Sequence, residues 1–213
     1  MKKTVLILLI LFVSCSVFDS KDEEAYYQFR GDDFNKLLSI ELNQIIKYKN
    51  VLDEEIVFET TKASDNYIEQ YTVSSMTAGL LRYFYYDTQY IELRAYPNFP
   101  IRYNLRRFPI DFEQAKEDDF NEYPSSFEGF FYFPFWNKIG NDIYIYINFD
   151  AEKTNMLVNG INFENVYTFN SGNPNPIVIS ETYIKNVNVI YYDLHYGIIG
   201  FDDLDGQEWR LSD

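Results

Sequence analysis

A single cysteine, a single histidine and a shortage of basic residues set the first limits on this 213-residue chain. With Cys15 alone, no intrachain disulfide can form, so stability must come from packing. His195 as the only histidine argues against two-histidine zinc sites and the H-E-x-x-H arrangement. It sits beside Gly197 in a stretch that reads as a turn, where a solvated or backbone-bonded imidazole is the default. No Gly-x-Ser-x-Gly elbow accompanies it, and Ser125-Ser126 and Ser171-Gly172 lack that context. The 18 basic residues face 33 acidic ones, a formal charge of −15. A surface this acidic repels nucleic-acid phosphate, which excludes a nucleic-acid partner, and it favours solubility. The apolar run at 5–13 falls far short of the roughly 20 residues that cross a bilayer, and no later stretch does better.

What is present is most informative at the start. Met1-Lys2-Lys3, the apolar run and Ser14 are the parts of a secretory signal peptide. With Cys15 directly after the small residue, the segment resembles the signal of bacterial lipoproteins. That resemblance implies a signal peptide over 1–14, a lipid on Cys15, and a membrane partner through the lipidated N-terminus. Phe12 departs from the pattern, which usually has Leu three before the cysteine. The alternative is an ordinary cleaved signal with Cys15 incidental. Removing residues 1–14 takes away Lys2 and Lys3, leaving 199 residues with 16 basic against 33 acidic side chains, or −17.

Residues 15–31 read as a solvated tether. Within them Lys21-Asp22-Glu23-Glu24 resembles the lysine-plus-acidic export signal of Bacteroidetes lipoproteins. This implies the cell-surface face of the outer membrane; read as a plain linker, the same residues leave the periplasmic face open.

The pattern beyond is mostly that of strands. Residues 33–48 are the best helix candidate, with Phe34, Leu37, Leu38, Ile45 and Ile46 at spacings of three and four and Asp32 or Asp33 as cap. Residues 56–61, 67–74, 80–86 and 90–96 are rich in β-branched and aromatic side chains. A short helix fits the charged stretch 111–120. In 142–149, Ile143, Ile145 and Ile147 alternate with Tyr144, Tyr146 and Asn148. Asn159-Gly160 between two apolar runs predicts a type I′ hairpin, followed by a loop at 170–176. Further strands fit 187–192, 198–201 and 208–211, with turns near 195–197 and at Asp205-Gly206. The expectation is a mainly β fold, a single antiparallel meander or sandwich-like domain over 32–213 with one N-terminal helix; α+β is the alternative.

The ending Val189-Ile190-Tyr191-Tyr192, Gly197-Ile198-Ile199-Gly200-Phe201 and Gly206-Gln207-Glu208-Trp209 resembles the C-terminal signature of small uncharacterised lipoproteins of the Bacteroidetes. Val158-Asn159-Gly160 and Asn165-Val166-Tyr167 fit the same pattern. The resemblance implies origin and class but no chemistry. Physically the pattern is two hairpins with packed apolar faces, which needs no ligand.

Several segments invite a chemical reading. In Asp202-Asp203-Leu204-Asp205-Gly206, aligning Gly206 with the sixth position of a calcium loop places Phe201 first and Ser212 twelfth, so an EF-hand fails and an Asp-Gly turn remains. Glu113, Glu117, Asp118 and Asp119 cluster as a solvated face would. A paired-carboxylate glycoside hydrolase requires a separation of about 5–9 Å in space, which spacing along a chain does not give. Arg102, Asn104 and Arg106 alternate with Ile101, Tyr103 and Leu105, so a strand would present two arginines together. They could hold an anion or pair with neighbouring acids. The run Phe130 to Trp136 is either core or, through Phe133, Phe135 and Trp136, an aromatic binding surface. The 20 Tyr and 19 Phe carry no such message by number, because AT-rich codons account for them. The function expected is non-catalytic binding or scaffolding at the outer membrane, with a protein or glycan partner and no cofactor or metal. A carbohydrate-binding module or carboxylate-based glycoside hydrolase is the alternative.

Overall fold

Two antiparallel meanders, joined edge to edge, make a single curled sheet. The structure, a computed structural model, describes residues 25–74, 81–95, 99–110, 123–133, 144–170, 187–203 and 205–212. Its strands are β1 (Tyr26–Tyr27), β2 (Ile45–Lys49), β3 (Glu55–Ser74), β4 (Leu81–Ala95), β5 (Phe99–Pro109), β6 (Ser125–Tyr132), β7 (Tyr144–Tyr146), β8 (Thr154–Val158), β9 (Ile161–Asn170), β10 (Val187–Asp193), β11 (Gly197–Asp203) and β12 (Glu208–Ser212). The order across the sheet is β7-β6-β5-β4-β3-β2-β12-β11-β10-β9-β8, and β1 adds to β4 in parallel. The mainly β expectation holds.

Connectivity explains the curl. Eleven strands about 4.8 Å apart would form a flat sheet roughly 50 Å wide. Its two edges, β7 and β8, are consecutive in the chain, and the seven residues 147–153 that join them reach at most about 27 Å. The sheet must therefore bend into a half-barrel. Register shifts between Thr60 and Lys62, and between Ser64 and Tyr67, mark bulges on β3 that add twist along the long β3–β4 hairpin.

The concave side holds the main core. Alternate residues of each strand point inward, including Tyr48, Phe58, Ile91, Leu93, Ile101, Tyr103, Phe131, Tyr192 and Phe201. Tyr103 of β5 reaches across the interior, where its hydroxyl accepts a bond from the Ile198 amide at 3.2 Å, while the Tyr48 hydroxyl donates to the Ile198 carbonyl at 2.7 Å. Both backbone groups of Ile198 are thus satisfied by tyrosines of the other meander. The C-terminal signature is explained by packing. Gly197 has φ +75 above the Tyr103 ring, and a Cβ on Gly200 would lie 2.7 Å from the Trp209 carbonyl oxygen. Trp209 itself stacks on Phe201 at 5.8 Å.

The helix expected over 33–48 does not form. Gly31–Lys36 makes one short 3-10 helix, and Ile45–Lys49 is a strand. The sequence holds a competing period of two, Leu38 with Ile40 and Ile46 with Tyr48, and these pairs are the buried ones; Phe34 and Ile45 are exposed. The Gln89 side chain accepts from the Leu38 amide at 2.8 Å and donates to its carbonyl at 2.9 Å, taking the groups a helix would have used.

The packed part also starts earlier than 32. Tyr27 and Phe29 are buried, Asp87 accepts from the Tyr26 hydroxyl and the Phe29 amide at 2.7 Å each, and Asp33 pairs with Arg107 at 2.6 Å. Residues 25–31 therefore belong to the domain rather than to a tether. The strands read separately at 56–61 and 67–74 are one strand, β3, and those read at 80–86 and 90–96 merge, in their described part, into β4 (Leu81–Ala95). The hairpin at Asn159-Gly160 is as expected, with φ of 48 and 85. The short helix expected at 111–120 and the loop at 171–176 lie outside the described residues.

Candidate functional site

Three segments singled out in the sequence come together on the convex face of the sheet. On β4, Ile91 and Leu93 enter the core, so Tyr90, Glu92 and Arg94 face outward. On β5, burial of Ile101, Tyr103 and Leu105 turns Arg102, Asn104 and Arg106 the same way. On β6, Phe131 and Phe133 are inside and Glu128, Phe130 and Tyr132 outside. On β7, Ile145 packs on the core and Tyr144 and Tyr146 project out, 48% and 70% exposed. Antiparallel register then sets Glu92, Arg102, Tyr132 and Tyr144 in one cross-strand row, and Tyr90, Asn104, Phe130 and Tyr146 in the next.

The charged groups are held in fixed pairs. Glu92 is 2% exposed and accepts from Arg94 at 2.8 Å, Arg102 at 3.1 Å and the Tyr90 hydroxyl at 3.1 Å. Burial alone would raise the Glu92 carboxyl, but the bonds from Arg94, Tyr90 and Arg102 outweigh it and hold it below the usual carboxylate range. Arg106 pairs with Glu128 at 2.5 Å and lies over the rings of Phe108 at 3.8 Å and Phe130 at 5.5 Å. Arg102 lies over Tyr132 at 6.0 Å. Further along the same face, Tyr86 donates to Glu69, and burial followed by that carboxylate pushes its hydroxyl well up from the ordinary phenol value. The rings of Phe84, Tyr86 and Phe108 there pack into a second small core covered by Ala25 and Tyr27.

Toward β7 the rings stay open to solvent. Phe130 meets Tyr144 at 5.7 Å and Tyr146 at 5.8 Å, and Tyr132 meets Tyr144 at 6.1 Å. Chemically, this surface can stack and hydrogen-bond a ligand. Its central carboxylate is an anion kept by two guanidinium groups, which suits it to positioning rather than proton donation.

The residues proposed from sequence fare differently. Cys15 and Lys21, Asp22, Glu23 and Glu24 lie outside the described residues, as do Glu113, Glu117, Asp118, Asp119, Phe135, Trp136 and Ser171. Phe133 is a correction: it packs against Phe201 at 5.3 Å inside the core and is not a surface ring. The arginines of β5 pair with neighbouring acids, the blander of their two readings. His195 is an exposed turn residue whose amide is bonded by Asp193. Ser125 is in a strand, where it accepts from Arg107. Asp203 accepts from the amides of Asp205 and Gln207 and so shapes the Asp-Gly turn. Among the described residues no three acidic, histidine or cysteine side chains gather as a metal site would require. Sequence reasoning missed Tyr144 and Tyr146 as site residues, although the alternation in 142–149 had set them on one face. It missed Glu92 altogether.

The fold and this surface define an antiparallel β half-barrel with an outward aromatic–arginine face. The chain matches no family model, no curated protein and no solved structure.

Proposed function

We propose that the chain is a lipid-anchored cell-envelope protein, held through Cys15, whose half-barrel binds a partner without transforming it. The observation that carries the binding part is the exposed Tyr144–Tyr146 ladder beside arginines already fixed by Glu92 and Glu128. Rigid rings lose little entropy when they are covered, and pre-paired arginines present their remaining donors in set directions. The anchoring part rests on Met1-Lys2-Lys3, the apolar run and Ser14-Cys15. Nine residues, 16–24, lie between Cys15 and Ala25, a length that at full extension spans roughly 30 Å. Such a leash confines the domain near the membrane and raises its effective concentration toward neighbours. The Lys21-Asp22-Glu23-Glu24 segment favours the outer face of the outer membrane.

Metabolic labelling with a fatty-acid analogue tests the anchor. Wild type should take the label and Cys15→Ala should not; an unlabelled wild type refutes anchoring. Protease treatment of intact cells tests the face: digestion without lysis is expected, and protection until the outer membrane is broken would move the domain to the periplasmic side.

A further inference from the structure

The aromatic–arginine face is nearly neutral on a molecule that is not. Glu92 answers Arg94 and Arg102, Glu128 answers Arg106, and in the adjoining strand Lys62 stands opposite Glu92 and Glu59 opposite Arg94, so three carboxylates offset all but one of four cations, while the whole chain carries −15. Neither a polyanion nor a polycation finds a field to steer it here, so charge complementarity points to an uncharged ligand. The face also mixes rings with hydrogen-bonding groups position by position. Reading across the strands, one row is Tyr90, Asn104, Phe130, Tyr146 and the next is Glu92, Arg102, Tyr132, Tyr144. A pyranose ring wants this mixture, because it offers an apolar C–H face to an aromatic ring and a rim of hydroxyls to amide, guanidinium and carboxylate groups. Strands repeat about every 4.8 Å, close to the advance of one sugar in an extended glycan.

Resting on the reading of the chain as a binding protein, we propose that this face binds an extended, uncharged oligosaccharide running across the strands from β7 toward β4. Tyr146 and Tyr144 stack on its sugars, and Asn104 and Arg102 bond their hydroxyls.

The test is affinity electrophoresis of the full chain through gels containing unbranched neutral polysaccharides: β-glucan, xylan, mannan and amylose. At least one is expected to retard the wild type. Tyr146→Ala and Tyr144→Ala should each weaken that retardation about tenfold, and Tyr146→Phe should keep it, since stacking needs the ring and not the hydroxyl. Both tyrosines are half-exposed or more, so unchanged melting temperatures are expected to accompany the loss. Failure of every polymer to retard the wild type overturns the oligosaccharide assignment and leaves anchoring to the labelling experiment. Retardation indifferent to both alanine variants overturns its placement on this face. A wild-type dimer in sedimentation that Tyr146→Ala dissolves also overturns it, by making the face a contact between copies.

Discussion

Two buried tyrosines of the core should respond oppositely to the same substitution. Tyr103 and Tyr192 are both buried, with ring centroids 6.2 Å apart. The Tyr103 hydroxyl accepts from the Ile198 amide at 3.2 Å, whereas the Tyr192 hydroxyl has no hydrogen-bond partner among the described residues. Tyr103→Phe strips a buried amide of its acceptor, which costs about 1–3 kcal/mol. Tyr192→Phe removes a hydroxyl that was desolvated without compensation, so it should be neutral or stabilising by up to about 1–2 kcal/mol. Volume hardly changes in either case, and cavity terms stay small. In a chain of this size each kcal/mol moves the melting temperature by roughly 2–4 °C. Urea denaturation and calorimetry of the wild type and both variants provide the comparison. A loss on Tyr192→Phe equal to that on Tyr103→Phe would refute the reasoning, because it would mean that Tyr192 makes a bond of similar worth.

Other consequences follow from particular contacts. Gly200→Ala sets a methyl 2.7 Å from the Trp209 carbonyl oxygen and should cost about 1–3 kcal/mol, read as a lowered urea midpoint at unchanged slope. Asp87→Ala leaves the buried Phe29 amide unpaired and frees Tyr26; the expected result is a loss of about 2–3 kcal/mol and faster proteolytic cutting near residues 25–30. Burial raises the phenols of Tyr48, Tyr103 and Tyr192, and burial with the Asp202 bond lifts Tyr191 to about 12. Above about pH 10 the unfolded chain loses phenol protons that the folded chain keeps. These phenols should therefore leave stability level from neutral pH to about 10 and lower it beyond, and the last part of the tyrosinate absorbance should appear only with unfolding. Full tyrosinate absorbance reached before the loss of ellipticity would contradict this.

The elements most legible in the sequence were those whose signals are local. Asn159-Gly160 announced its hairpin because few residues other than Asn and Gly accept positive φ at both positions. The alternation in 142–149 placed Ile145 and Ile147 inside and Tyr144 and Tyr146 outside, and alternation on β5 put Arg102 and Arg106 together. The misread segment, 33–48, carried two periodicities at once. Its helical spacing of three and four lost to the pairs Leu38–Ile40 and Ile46–Tyr48 because the sheet offered Gln89 and strand β3 as partners. Nothing in the local pattern could have weighed that offer.

By itself the sequence determined a mainly β chain, strongly acidic and without an intrachain disulfide. It also determined which face of each strand would be apolar, since that follows from a period of two. Only the tertiary structure decided which strands are neighbours. The pairing of β2 with β12 brings Lys47 beside Ser212, and the seven-residue link between β7 and β8 makes the sheet curl. The same register set Glu92 beside Arg102 and laid Tyr132 between Arg102 and Tyr144 and Phe130 between Asn104 and Tyr146. A surface built from four strands exists only once those strands are in register. Register is chosen by burial of the concave core, a sum over residues far apart in the chain that no single stretch of it contains.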